Sequence, residues 1–283
     1  MKKGMCSLLL LTFLFPVLAV VVDENKKTDP EKDRVEFVDF FANRFKGVAF
    51  SEYKNGVYAL DEDQRAQWLE IEDFPPYEFA IDTGRELFEK AFANGKSYSD
   101  CFRNGGIGIR QDYPFYDNEK QKVVTLELAI NDCRISNGET PLKYKKGPMA
   151  EISAYMAYTS RDEKVNVVIP DDPYALNAYE EGKAFYYSKR GQLNFSCADC
   201  HALNSGNNVR ADKLSPGLGH TTHFPVYRSK WGNMGTLHRR FIGCNENVRA
   251  EPLPAQSDAY RNLEYFMSYM SNGLEINGPG ARK

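Results

Sequence analysis

Apolar positions along the chain fall into blocks of two kinds. The first is one continuous run, MKKGMCSLLLLTFLFPVLAVVVDENKK, in which Lys2 and Lys3 precede an apolar stretch and the chain turns polar at Asp23-Glu24-Asn25. With small residues at Val17-Leu18-Ala19, this is the layout of an export signal over residues 1–19, and nothing further along is apolar enough to span a bilayer. Cys6 opens the apolar region rather than closing it, which argues against a lipid-anchored cysteine. Blocks of the second kind are periodic. Tyr155, Met156 and Tyr158, and later Phe266, Met267 and Tyr269, share a helical spacing. Gly182-Lys183-Ala184-Phe185-Tyr186 reads as part of an amphipathic helix, echoed upstream by Gly84-Arg85-Glu86-Leu87-Phe88.

These blocks belong to an internal repeat. At an offset of 111 residues, Tyr113-Pro114-Phe115-Tyr116 matches Phe224-Pro225-Val226-Tyr227, Thr125-Leu126 matches Thr236-Leu237, Cys133 matches Cys244, and Pro141-Leu142 matches Pro252-Leu253. The expectation is a mainly α protein of two tandem homologous domains, at 30–160 and 161–283, joined by a charged, proline-containing linker from Thr159 to Pro173. The segment Arg240 to Arg249 reads as a loop.

Composition narrows the chemistry. A net charge of −3 gives no nucleic-acid signature, and 42% hydrophobic residues supply a core. Export places the mature chain in a disulfide-permissive compartment, the periplasm, and removes Cys6, leaving the odd set Cys101, Cys133, Cys197, Cys200 and Cys244. Cys197-Ala198-Asp199-Cys200-His201 is the C-x-x-C-H of covalent haem c attachment. Two thiols one helical turn apart can form thioethers to one haem, and the adjacent imidazole can then bind the iron. No second C-x-x-C or H-x-x-x-H completes a zinc set, so one haem per chain is expected. In the first copy the motif reads Cys101-Phe102-Arg103-Asn104-Gly105, without the second thiol or the histidine. That copy should hold no haem. With Cys101 at the attachment position and Cys133 at the counterpart of Cys244, a disulfide between them across the vacated pocket is expected.

A sixth iron ligand could come from Cys244, His220, His223, His238, Met234 or Met267. Met267 sits in the repeated apolar block and reads as core. His220 and His223 lie in a stretch present only in the haem-bearing copy and read as ligand, propionate partner or, preferentially, surface. His238 stands where the first copy has Glu127 and reads as a solvated position. Cys244 reads either as a buried free thiol or as a thiolate ligand favoured by Arg239, Arg240 and Arg249. Arg240 and Arg249 are matched by Ala129 and Gly138 in the haemless copy, as expected if they serve haem-site chemistry.

A signal segment, two cytochrome c-like repeats, C-x-x-C-H in the second, and Arg-Phe-Ile-Gly-Cys-Asn-Glu-Asn-Val-Arg near the end together resemble the SoxA family, in its single-haem branch. These are the larger subunits of the SoxAX cytochromes of bacterial thiosulfate oxidation. The resemblance implies an L-cysteine S-thiosulfotransferase that couples thiosulfate oxidatively to a cysteine of the carrier complex SoxYZ, with electrons leaving through haem and the small SoxX cytochrome. It implies that Cys244 is both haem ligand and catalytic residue, found as a persulfide, and that Arg240 contacts substrate. The competing reading is an electron-transfer cytochrome in which Cys244 is only an axial ligand. A third is an interaction subunit whose haemless domain docks a partner.

Overall fold

The computed structural model describes residues 28–282; the expected export signal and Cys6 lie outside them. Helix α1 (Pro30–Arg44) starts where Asp29 accepts a hydrogen bond from the Lys32 N–H, with proline at its first position. A tight 3-10 segment (Phe50–Ala59) leads to α2 (Glu62–Glu72), which is capped by Asp61. The first repeat contributes α3 (Glu78–Glu89), the antiparallel pair β1 (Phe115–Asp117) and β2 (Lys122–Val124), α4 (Leu126–Ser136) and α5 (Pro148–Tyr158). The second contributes α6 (Pro173–Tyr187), a small hairpin β3 (Asn208–Val209) and β4 (Asp212–Lys213), and the pair β5 (Val226–Arg228) and β6 (Asn233–Gly235). Helices α7 (Leu237–Asn247) and α8 (Asp258–Met270) follow, and β7 (Gly280–Arg282) runs parallel to β5.

Strand and helix bounds in the two halves are displaced by the same 111 residues that separate the matched sequences: β1 and β5, β2 and β6, α4 and α7. The repeat is therefore a repeat of architecture. Each half is built on a close helix crossing, α3 on α5 and α6 on α8. A Cβ on Gly84 would lie 2.0 Å from the Glu151 carbonyl oxygen, and one on Gly182 would lie 2.0 Å from that of Asn262. Glycine is required at both places because backbone passes against backbone.

The halves are not packed as separate beads. Phe37 and Phe41 of α1 belong to the core of the second repeat, where Phe37 meets Tyr186 at 6.0 Å and Phe266 at 6.4 Å between ring centroids. Asp33 takes hydrogen bonds from Tyr179 and Lys183 of α6. Residues that precede the first repeat in sequence thus complete the second, cutting across the boundary expected at 160. Nor is 159–173 a free linker. Val165 and Val167 are buried, Val165 N–H donates to the Leu274 carbonyl at 2.8 Å, and Ile276 N–H donates to that of Glu163 at 2.8 Å. The charged residues of this segment face outward, while its valines seat it as an extended strap in the core.

Contacts between the halves are reciprocal. The Thr125 hydroxyl at the start of α4 donates to Gln256 at 2.8 Å, and that of Thr236 at the start of α7 donates to the Tyr144 carbonyl at 2.8 Å. Between them lies a buried polar cluster of Glu127, Ser153, His238 and Glu264, with Arg110 at 3.9 Å from Glu264. Burial, with Glu264 alongside, pushes the Glu127 carboxyl above the usual carboxylate range. His238, expected on a solvated face, is buried here: its Nδ1 accepts from the Gln256 N–H at 2.9 Å and its Nε2 lies 3.1 Å from Glu264. The repeat alignment explains the difference, because the matched Glu127 is itself buried at this seam.

Gly182→Ala should force α6 and α8 apart and cost about 1–3 kcal/mol, as overpacking does. Urea unfolding of Gly182→Ala and Gly84→Ala checks this; an unchanged midpoint in both would show that the crossings tolerate a methyl group.

Candidate haem and sulfur site

The second repeat encloses a cavity of about 830 Å³ between α6, the C-x-x-C-H turn, β5 and α7. Phe185, Tyr186, Leu237, Phe241, Leu263 and Met267 give it an apolar wall. Cys197, Cys200, His201, Arg240 and Cys244 all face it. Met267 is both core and wall, whereas Met234 lies in a separate cluster with Tyr77 and Ala281.

The attachment motif is held by a closed local turn. Ser196 N–H donates to Asp199 at 2.8 Å, and the Asp199 N–H returns a bond to the Ser196 hydroxyl at 3.0 Å. The arm leading to it turns at Gly191, whose φ is +69°, and there a Cβ would come 2.1 Å from the Val248 carbonyl oxygen. This arm is thereby pressed against the end of α7, with Leu193 N–H donating to Val248 at 3.3 Å. His201 Nδ1 lies 3.0 Å from the Ser215 carbonyl oxygen. A carbonyl only accepts, so Nδ1 carries the proton and Nε2 is left for another partner, the arrangement usual for a metal-binding imidazole.

Cys244 lies on α7, not in the loop expected for residues 240–249. Thr236 starts the helix, Leu237 and Phe241 bury one face, and Asn245 ties to the Phe241 carbonyl and to Tyr260. Arg240 is one turn before Cys244, so both present to the cavity. The His201 imidazole faces the same cavity as this thiol. Burial alone would push this thiol up, but Arg240, His201 and Arg228 outweigh it and bring it down to about 7. Cys197, by contrast, is pushed up to about 12 by burial, and Cys200 is also raised by burial. Of the three free thiols among the described residues, only Cys244 is poised as thiolate near neutrality.

The arginines sort differently from their order in sequence. Arg239 turns away to stack on Trp231, 4.2 Å from the ring centroid, and Arg249 is exposed beyond the helix. Arg228 and Arg282 line the cavity instead. Sequence reading missed both. Arg228 carries the same signal that singled out Arg240, since Asp117 stands at its place in the haemless copy. His220 and His223 are not surface residues either. The His220 ring packs edge-on against His201 at 4.3 Å with Nε2 2.7 Å from the Ser215 hydroxyl, and His223 is buried in the cavity wall. Burial holds both well below the usual histidine range, hence neutral.

The corresponding place in the first repeat is different in kind. Cys101 and Cys133 are joined, S–S 2.01 Å and Cα–Cα 5.8 Å, at the edge of a residual hollow of about 500 Å³. Phe88, Phe92 and Tyr98 fill the adjoining core, and a Cβ on Gly106 would strike the Phe88 ring at 2.6 Å. Aromatic rings thus fill space beside the position where the other repeat carries His201. In the second repeat, two thiols in i,i+3 relation, an oriented imidazole, a low-lying thiol on the facing helix and apolar walls fit a covalently attached haem.

Two helical repeats, one with a site of this kind, define a c-type cytochrome of tandem-domain architecture. Residues 83–165 and 181–276 both match the SoxA/TsdA cytochrome c domain, so each repeat carries the domain, including the one without C-x-x-C-H. The L-cysteine S-thiosulfotransferase subunit SoxA of Allochromatium vinosum is 56% identical over 255 residues, covering 90% of both chains. Its counterpart from Chlorobaculum thiosulfatiphilum is 54% identical over 253 residues, covering 89% of this chain and 88% of that one. The crystal structure of SoxXA from P. pantotrophus superposes with a TM-score of 0.71 at 33% identity, over 80% of this chain and 86% of that one. The chain belongs to the SoxA family.

In protein matured without haem, alkylation of Cys244 should rise with pH about a midpoint near 7, because the thiolate is the reactive form. Cys197 should stay unreactive through that range. Arg240→Ala removes the nearest positive charge and should move the Cys244 midpoint upward. Mass-resolved alkylation across pH checks both; equal midpoints for the three thiols would refute the electrostatic contrast.

Proposed function

We propose that this chain is the catalytic haem subunit of a periplasmic thiosulfate-oxidising cytochrome, an L-cysteine S-thiosulfotransferase. What carries the reading is the pairing, on one face of α7, of Arg240 with a thiol lowered to about 7, opposite an imidazole oriented by a backbone carbonyl. The curated names of the relatives support the activity, and the SoxXA structure supports a small cytochrome, SoxX, as partner. Cys197 and Cys200 would hold one haem c covalently, His201 and Cys244 are the side chains that would bind its iron, and the group would supply a one-electron sink near the Cys244 sulfur. In the first repeat the Cys101–Cys133 disulfide takes the place of a haem.

The overall reaction joins thiosulfate to a cysteine of the SoxYZ carrier. The carrier S–H bond breaks and an S–S bond forms, giving the cysteine S-thiosulfonate, one proton and two electrons, which leave through the cytochrome chain. Thiosulfate is a small dianion, and the Arg240 guanidinium offers two parallel donors to its oxygens. Arg240 thus does two jobs from one position: it draws the substrate in and holds Cys244 as thiolate. The apolar wall of Phe241, Leu263 and Met267 lowers the local polarity around that sulfur and strengthens the charge interactions. Cys244, as thiolate or persulfide, takes part in forming that S–S bond.

An electron-transfer role alone does not require an arginine one turn before the ligand or a thiol held near neutrality. Two measurements test the proposal. Intact mass after maturation should correspond to one haem, retained when Cys101 and Cys133 are both replaced by serine. In thiosulfate- and carrier-dependent electron delivery, Arg240→Ala should lose about ten- to a hundredfold in kcat/KM, the worth of one charge-assisted contact of about 1.5–3 kcal/mol. Cys244→Met keeps a sulfur ligand without an ionisable thiol and should abolish turnover. Full turnover by that variant would leave Cys244 as a ligand only.

A further inference from the structure

The short strand β7 has a function that its length does not advertise. It pairs parallel to β5 with Val226 opposite Gly280, Tyr227 opposite Ala281 and Arg228 opposite Arg282. Residues opposite one another on paired strands present their side chains to the same side of the sheet. Here that side is the haem cavity, which both arginines line. Arg282 is half-buried. It lies over the rings of Tyr58 and Trp68, 5.1 and 5.7 Å from their centroids, and its Nη1 donates to the Ala281 carbonyl at 2.7 Å. Its Nη2 is buried with no hydrogen-bond partner.

Burying a cation with an unused donor is costly unless an anion completes it. Arg228 and Arg240 bring two more positive charges to the same cavity. Glu72, an acid on α2 whose charge acts on Arg282, accepts hydrogen bonds from Trp68 Nε1 at 2.7 Å, from the Tyr77 hydroxyl and from the Ala281 N–H at 3.3 Å. Arg282 lies at the His223 side of the cavity, since a Cβ on Gly280 would stand 3.1 Å from Arg282 Nη1 and 3.7 Å from His223 Cβ. Gly280 is therefore part of the arrangement.

We infer that Arg282, together with Arg228, forms an oxyanion-binding site at the His223 side of the cavity. The inference rests on the haem-site reading above. Two oxyanions reach this cavity in that reading, a haem propionate carboxylate and thiosulfate, and the guanidinium chemistry suits either.

The test uses the haem-loaded protein with Arg282→Gln, and with Gly280→Ala as a second variant that displaces the guanidinium while keeping its charge. The haem midpoint potential is followed against pH, and KM and kcat are measured for thiosulfate. If the site holds a propionate, the potential of Arg282→Gln falls, because a positive charge beside the iron is lost, its pH dependence moves, and KM does not. If it holds thiosulfate, KM rises tenfold or more while the potential and kcat stay near wild type. Should Arg282→Gln fail to mature, Gly280→Ala supplies both readouts. Full haem loading with potential, pH profile and KM all unchanged overturns the site. A wild-type protein with a normal haem potential but no thiosulfate turnover would instead refute the functional reading, and the potential would still decide the role of Arg282.

Discussion

Everything at the site depends on where α7 is held. Its first residue is pinned to the other repeat, through the Thr236 hydroxyl and N–H on Tyr144 and Lys145. Its last turn is pressed by the arm that carries C-x-x-C-H, at a point where only glycine fits. Between these clamps α7 presents Arg240 and Cys244 to the cavity that His201 also lines. The first repeat is thus half of the mounting for the second, and it does this as a unit folded around an aromatic core of its own.

The same geometry sets the chemistry of the thiols. Burial opposes charge on all three, yet only Cys244 has guanidinium groups and an imidazole close enough to overcome it. Cys197 and Cys200 are held neutral, while Cys244 is ready as an anion. Position within a single cavity separates thiols of the same kind by their protonation.

Much of this was legible in the sequence because two copies could be compared. The offset between Cys133 and Cys244 located the site, and the mismatch of Arg240 with Ala129 marked a residue that the fold alone does not need. The same comparison, carried one residue past the matched Phe224–Tyr227 block, flags Arg228 against Asp117. Arg282 has no partner at that offset and becomes visible only when β7 docks on β5. His220 and His223 were misplaced because polar residues between glycines resemble an exposed loop, whereas here they back the C-x-x-C-H turn. The helix around Cys244 was masked by its charge and by Gly243, which dilute the apolar face that Leu237 and Phe241 define. The strap at 159–173 was misread for a related reason: alternation of valines within a charged segment signals burial only once a groove is there to receive it.

The placement of α1 has a consequence for the order of assembly. It is among the first described segments to be synthesised, yet its aromatic face is complete only against α6 and α8, more than a hundred residues later. The repeat that follows it can form its own helix crossing and core locally, while α1 waits. Contacts of such sequence separation form late, after the shorter loops have closed. Cys197 packs against the core that α1 completes, so these long-range contacts belong to the half of the chain that carries C-x-x-C-H.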